Sequence, residues 1–308
     1  MKYTMLGALL LGALLFGGCG QEKPADGKLP VTASFAAVAE IGREIGGDRV
    51  QVTTLIPEGA EPHDFELKPS SVKAIAGSRV FLYSGLGMEP WKDQALQSAG
   101  NSSLIAVKTS AGIEPIYLEE EHGHDHEPGH EHGHGHDHGR EAVDPHVWLT
   151  PSGGIRMAEN IAAAYIKADP DGRDYYEARK ENFIRRLRAL DEEYREKFEQ
   201  APKKTIVAGH DAFGYLCRDY GLRQESVQDV YAEGEPGAGD LARLADFCRE
   251  NGVTTVFAEE LASPRVSETL ASEAGARMET IDTLEGKADS SYEERIAANL
   301  EKIRKSLE

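Results

Sequence analysis

Short apolar runs alternate with helix-length segments in two separate stretches of the chain, and this alternation constrains the fold more than any other feature. From Val31 to Val107, "VTAS" leads into "FAAVAEIGREIGG" and "VQVTTLI" leads through a loop into "PSSVKAIAGS". "RVFLYSG" then leads into "PWKDQALQSAG", and "SLIAV" closes the set. Strands separated by helices of this length predict βαβ units and a parallel sheet. After Pro202 the pattern returns, with "KTIVAGH", "ESVQDV", "TTVFAEE" and "ARMETID" as strands. Helices over Leu241 to Asn251 and Arg265 to Gly275 separate the later ones, the second opening on the Ser263-Pro264 start signal. The fold class expected is α/β, in two lobes with parallel sheets.

Between the lobes lies Asp174 to Gln200, where Phe183, Leu187, Leu190, Tyr194 and Phe198 recur at helical spacing. One apolar face over a segment this long predicts a helix of roughly 40 Å. Such a helix either joins the lobes as a stiff connector or packs wholly on one of them, and the two-lobe architecture favours the connector. The expected division is an N-terminal lobe over 30–150, a helical connector over 151–201 containing the long helix 174–200, and a C-terminal lobe over 202–308.

The first residues read as an export signal, 1–18. Lys2 precedes the apolar segment Met5 to Phe16, which is too short to span a membrane, and "GGCGQ" follows. Export therefore places the mature chain outside the cytoplasm, and residues 19–29 read as a flexible tether. The formal charge is −19, from 34 basic and 53 acidic residues, which excludes nucleic acid as a main partner and suits a cationic ligand. Beyond Cys19 only Cys217 and Cys248 remain, so no cysteine-based zinc motif exists, and the sequence leaves open whether these two pair.

Eight of the 11 histidines, His122, His124, His126, His130, His132, His134, His136 and His138, lie in "EHGHDHEPGHEHGHGHDHGR". The run contains no Leu, Ile, Val or Phe, so it has nothing to bury and is expected to be a disordered loop over 119–141. Imidazoles and carboxylates at this density bind Zn, Cu or Ni. A run without a fixed frame holds no metal in one geometry, which directs attention to the other three histidines.

His63 follows the strand "VQVTTLI", His146 precedes a helix beginning near Pro151, and His210 ends the strand "TIVAGH". Asp282 ends "METID". Open α/β sheets bind ligands at the carboxyl ends of their strands, so these four side chains are candidates for one cleft between the lobes. Three imidazoles and a carboxylate form a borderline-soft tetrahedral set that suits Zn²⁺ better than Mn²⁺, Mg²⁺ or Ca²⁺. If all three histidines titrate near ~6.5, zinc must displace up to about three protons at acid pH. Phe65 and Trp148 are candidates for walls of the site, and Asp64, Asp144 and Asp211 are candidates to orient the imidazoles.

The segments "GAEPHDFELKPS", "DPHVWLTP" and "VAGHDAFGYL" resemble, in order, the three metal-ligand segments of the solute-binding lipoproteins of bacterial zinc and manganese ABC importers. The resemblance covers nearly the whole mature chain. It implies His63, His146 and His210 as ligands, with Asp282 at the place of the family's carboxylate. Manganese receptors of this kind tend to carry a carboxylate where His210 stands, whereas zinc receptors carry His there and often a His-rich acidic loop before the second segment. Cys19 resembles the lipidated cysteine of such lipoproteins, with Phe16 where Leu is usual. The resemblance thus implies a monomeric, non-catalytic receptor held at the bilayer through Cys19, which captures Zn²⁺ and passes it to a membrane permease, with the histidine run as an auxiliary collector or sensor. A manganese receptor, a zinc hydrolase using three histidines and a water, and a metal-storage or adhesion protein are the competing readings. No HExxH accompanies the histidines to favour the hydrolase.

Overall fold

A computed structural model describes residues 27–57, 59–118, 143–229, 236–261, 263–286 and 289–308. Cys19, the signal and tether up to residue 26, and the eight histidines of the run lie outside the described residues.

The first sheet contains β1 (Leu29–Ala33), β2 (Val50–Thr54), β3 (Val80–Tyr83) and β4 (Ile105–Lys108), all parallel, in the order β2-β1-β3-β4. The second contains β5 (Thr205–His210), β6 (Arg223–Gln228), β7 (Thr255–Glu259) and β8 (Arg277–Ile281), also parallel, in the corresponding order β6-β5-β7-β8. The predicted strands all appear. Central β7 is buried at every position, whereas the edge strand β2 alternates, as expected when helices cover both faces of a parallel sheet. In each sheet the chain leaves the first strand to one side and returns on the other, which opens a ligand crevice at the carboxyl ends.

Helices α1 (Ala36–Gly46), α2 (Pro69–Ala76) and α3 (Lys92–Ala99) cover the first sheet. Helices α4 (Pro151–Ala168) and α5 (Arg173–Gln200) follow, the latter matching the predicted 174–200 helix to within one residue. From α5, Arg186 pairs with Glu44 of α1 and with Glu293. Farther along, Arg195 donates to the carbonyl of Asp219 in α6 (Gly214–Tyr220). The long helix therefore touches both lobes and joins them. Helices α7 (Ala238–Glu250) and α8 (Arg265–Ala274) flank the second sheet.

The C-terminal helix α9 (Tyr292–Ser306) opens on a capping box between Ser291 and Glu294 and returns to the boundary between the lobes. Its Tyr292 packs on Phe183 of α5 and donates to the carbonyl of Trp148. One apolar core consequently runs from β1 and α1 through α4 and α5 to α9. Among the described residues, Cys217 and Cys248 are free and buried, so they form no disulfide, and no helix is long and apolar enough to cross a membrane.

Candidate metal centre

The carboxyl end of β2 runs into residues 55–68, which carry His63. Phe65, two residues on, packs on Trp91 at a ring separation of 5.4 Å, which anchors this loop to the first lobe. His146 is fixed by its own segment. Tyr215 donates to the Asp144 carbonyl, and Pro145 favours extended backbone before it. A 3₁₀ turn over Val147–Leu149 leads into the Thr150 cap of α4, whose side chain accepts from the amides of Ser152 and Gly153. His210 is the last residue of β5. Three separate segments thus deliver one imidazole each.

The imidazoles converge on their Nε2 atoms. His63 Nε2 lies 3.2 Å from His146 Nε2, which lies 3.4 Å from His210 Nε2. Nitrogens held tetrahedrally by zinc at its usual bond length stand about 3.3 Å apart. The two distances from His146 match edges of a zinc tetrahedron, and all three histidines offer ligand atoms within 4.8 Å of one another.

Carboxylates behind the rings set which nitrogen faces inward. Asp144 Oδ1 lies 2.9 Å from His146 Nδ1 and also accepts from the His146 amide. Glu259, at the end of β7, accepts from the His210 amide and lies 3.5 Å from His210 Nδ1. A proton held on Nδ1 by a carboxylate leaves Nε2 as a lone pair, which is what a metal requires. Two glycines make room for these carboxylates. A Cβ at Gly209 would overlap the Glu259 carboxylate, and one at Gly214 would stand 2.5 Å from Asp144 Oδ2. Of the other candidates, Trp148 does wall the site, 5.1 Å from the His146 ring, with its indole donating to the Thr283 carbonyl. Asp64 is exposed, whereas Asp144 stands against Nδ1 of His146 as Glu259 stands against Nδ1 of His210.

Asp282 is not brought into this cluster, and here the structure corrects the expectation. Its Oδ2 and Oδ1 each accept from Arg295, both at 2.6 Å, and Oδ1 also accepts from the Leu284 amide. The guanidinium engages both oxygens, and Asp282 belongs to neither group of ligand atoms within 4.8 Å of one another. The carboxylate beside the histidines is Glu285, with Oε1 at 3.8 Å from His63 Nε2. Oε2 of Glu285 accepts from the Thr283 hydroxyl, whereas Oε1 is buried with no hydrogen-bond partner, the state of an atom kept for a cation. Glu285, Glu61 and Glu259 were missed in the sequence. Only the proximity of Glu61 to His63 and of Glu285 to Asp282 gave any signal of them.

Asp282 has a structural role instead. Arg295, whose side chain is 2% exposed, bonds Asp282 and also Glu40 of α1, tying the turn that bears Glu285 to the first lobe. Replacing Arg295 with methionine leaves the half-buried Asp282 and Glu40 without their shared partner and is expected to cost about 2–4 kcal/mol in chemical denaturation. A loss below about 1 kcal/mol would show that Arg295 does not hold this junction.

Burial and mutual repulsion shape the charges. His63 is driven down to about 3 by burial and then by the neighbouring imidazoles. His146 falls well below the usual histidine range, through burial and then His210. His210 moves upward: burial opposes its charge, but the hydrogen bond and charge of Glu259, with Glu285 and Glu61, outweigh it. Glu285 rises to about 8, through burial and then Glu61. Burial and charge thus favour protons on His210 and Glu285 over His63 and His146, whose shifts favour the neutral ring.

A family model described as zinc-uptake complex component A, periplasmic, matches residues 31–306. The chain belongs to this zinc-uptake family. It is 39% identical over 291 residues to the high-affinity zinc uptake system protein ZnuA of Bacillus subtilis, covering 92% of this chain and 89% of that one. It is also 39% identical over 312 residues to a putative metal-binding protein of Treponema pallidum, covering 98% and 96%. The solved structure of a ZnuA deletion mutant with zinc bound matches with a TM-score of 0.76 at 30% identity, over 91% of this chain and 98% of that one. The family is one of extracytoplasmic binding proteins for zinc transport, which fits the convergent histidines and the two-lobe fold.

Proposed function

We propose that the chain is a receptor that captures Zn²⁺ outside the cytoplasm at His63, His146, His210 and Glu285 and delivers it to the membrane permease of an ABC importer. The observation that carries this reading is the Nε2 spacing of 3.2 and 3.4 Å around His146, with carboxylates placed behind the His146 and His210 rings. Three borderline nitrogens with a single carboxylate favour zinc over the harder manganese. Four protein donors also fill a tetrahedral zinc and leave no position for the water that a hydrolase needs. In this reading Cys19 is the lipid anchor, and the histidines from His122 to His138 form an auxiliary, weaker zinc collector.

Zinc titration of the metal-stripped chain, with and without residues 119–141 and competed with manganese, tests this. One tight zinc is expected in both forms, with further weak sites only in the full chain, and manganese weaker by at least about tenfold. Loss of the tight site together with 119–141, or equal competition by manganese, would sink the proposal.

A further inference from the structure

Glu61, His63 and Glu285 form a second cluster, with one ligand atom of each within 4.8 Å of the others. It shares His63 with the three-histidine cluster but lies nearer to solvent. Glu61 is half-buried, the His63 side chain is 8% exposed, and the His146 side chain is 0% exposed. The buried Glu285 side chain directs an oxygen without a hydrogen-bond partner into this second cluster. Glu285 also lines a cavity of about 370 Å³ at the end of β2, where Glu40 and Arg43 are the other charged residues. The two carboxylates, this close, repel each other unless a cation or proton sits between them, and the imidazole beside them adds a nitrogen donor.

We propose that Glu61, His63 and Glu285 form an outer position for a divalent cation in transit, filled before the three-histidine position. The proposal rests on the reading of the three histidines as the zinc site. Bringing a doubly charged ion from water into a buried pocket in one step would strip its hydration before all its ligands are in place, which is costly. The outer cluster divides that step. Glu61 and Glu285 neutralise the ion while it still keeps water, and His63 takes hold of it. The ion then moves inward by exchanging Glu61 and the remaining water for His146 and His210, retaining His63 and Glu285 throughout. Glu61 therefore belongs to the path and not to the final ligand set.

Stopped-flow mixing of zinc with the metal-stripped full chain tests this, read by the fluorescence of Trp148, which stands 5.1 Å from the His146 ring and so responds to inner binding. The variants are Glu61→Gln and, as a control for general surface charge, Glu66→Gln on the exposed Glu66. Glu61→Gln is expected to slow association and dissociation alike by about tenfold, leaving Kd within about threefold, whereas Glu66→Gln changes neither rate. An unchanged association rate in Glu61→Gln, or equal slowing in Glu66→Gln, would overturn the outer position. A tenfold weaker Kd arising from faster dissociation alone would also overturn it, because Glu61 would then be a final ligand. A wild-type chain that takes up no zinc at neutral pH overturns the reading of the three histidines as well, so the two failures are distinguishable. Metal-free melting of each variant confirms that the fold is retained.

Discussion

Replacing His146 with alanine is expected to lower the affinity of the tight zinc site by two to three decades. A zinc site of four protein ligands is worth about 10–16 kcal/mol, so one ligand carries roughly 3–4 kcal/mol. His146 is the best placed of the three to show it. Its Nε2 stands within 3.2 and 3.4 Å of the other two, its ring is completely buried, and Asp144 fixes its tautomer. Truncation removes the central donor and leaves Asp144 buried without its imidazole. Because this also opens a hole against Trp148, the metal-free variant melts lower than the wild type for reasons unrelated to zinc. The diagnostic quantity is therefore the rise in melting temperature on adding zinc, which should be smaller in the variant by the equivalent of about 3–4 kcal/mol of zinc-linked stability. The measurement belongs on a chain lacking 119–141, so that the histidines from His122 to His138 do not contribute. A zinc-induced rise equal to the wild type's would remove His146 from the site.

The parts of this architecture set by local pattern were legible in the sequence. Strand–helix alternation located all eight strands among the described residues, and helical spacing from Phe183 to Phe198 located α5. The histidines were legible because few remained outside the run and each stood at an element boundary. The carboxylates were not. Choosing between Asp282 and Glu285 depends on Arg295, which comes 13 residues after Asp282 and claims both its oxygens, and on a turn through Leu284 at a φ of 59° that carries Glu285 toward His63. Position along the chain contains neither fact. Glu259 was hidden for a related reason: it reaches His210 only because β7 pairs with β5 and Gly209 lacks a side chain in its way. The C-terminal helix had a readable start in Ser291 and Glu294, but its return to α1 through Arg295 and Glu40 is tertiary.

Zinc affinity is expected to fall by about two decades per pH unit on acidification below neutrality, and not by three. The sequence alone suggests three imidazoles titrating together near ~6.5. In the folded centre, His63 sits at about 3 and His146 also lies well below the usual range, so neither binds a proton between pH ~7 and ~5 in the metal-free state, and neither has one for zinc to displace. Two groups remain. His210 is held above the ordinary histidine value, with Glu259 first among the influences that raise it, and Glu285 sits at about 8. Both are protonated in the metal-free centre at mildly acid pH and must lose the proton to bind zinc. The sign follows directly: protons oppose the metal at low pH, affinity climbs as pH rises, and the climb flattens once pH passes about 8, where Glu285 ionises without help. From pH ~7 to ~5 the dissociation constant should rise by roughly three to four decades, and direct proton counting by calorimetry in buffers of different ionisation enthalpy should approach two protons released per zinc. Replacing Glu285 with glutamine removes one of the two groups, so the slope in that variant should drop to about one decade per pH unit. A wild-type slope of three would place all three histidines back at ordinary values, and a flat profile would mean that neither His210 nor Glu285 exchanges its proton for the metal.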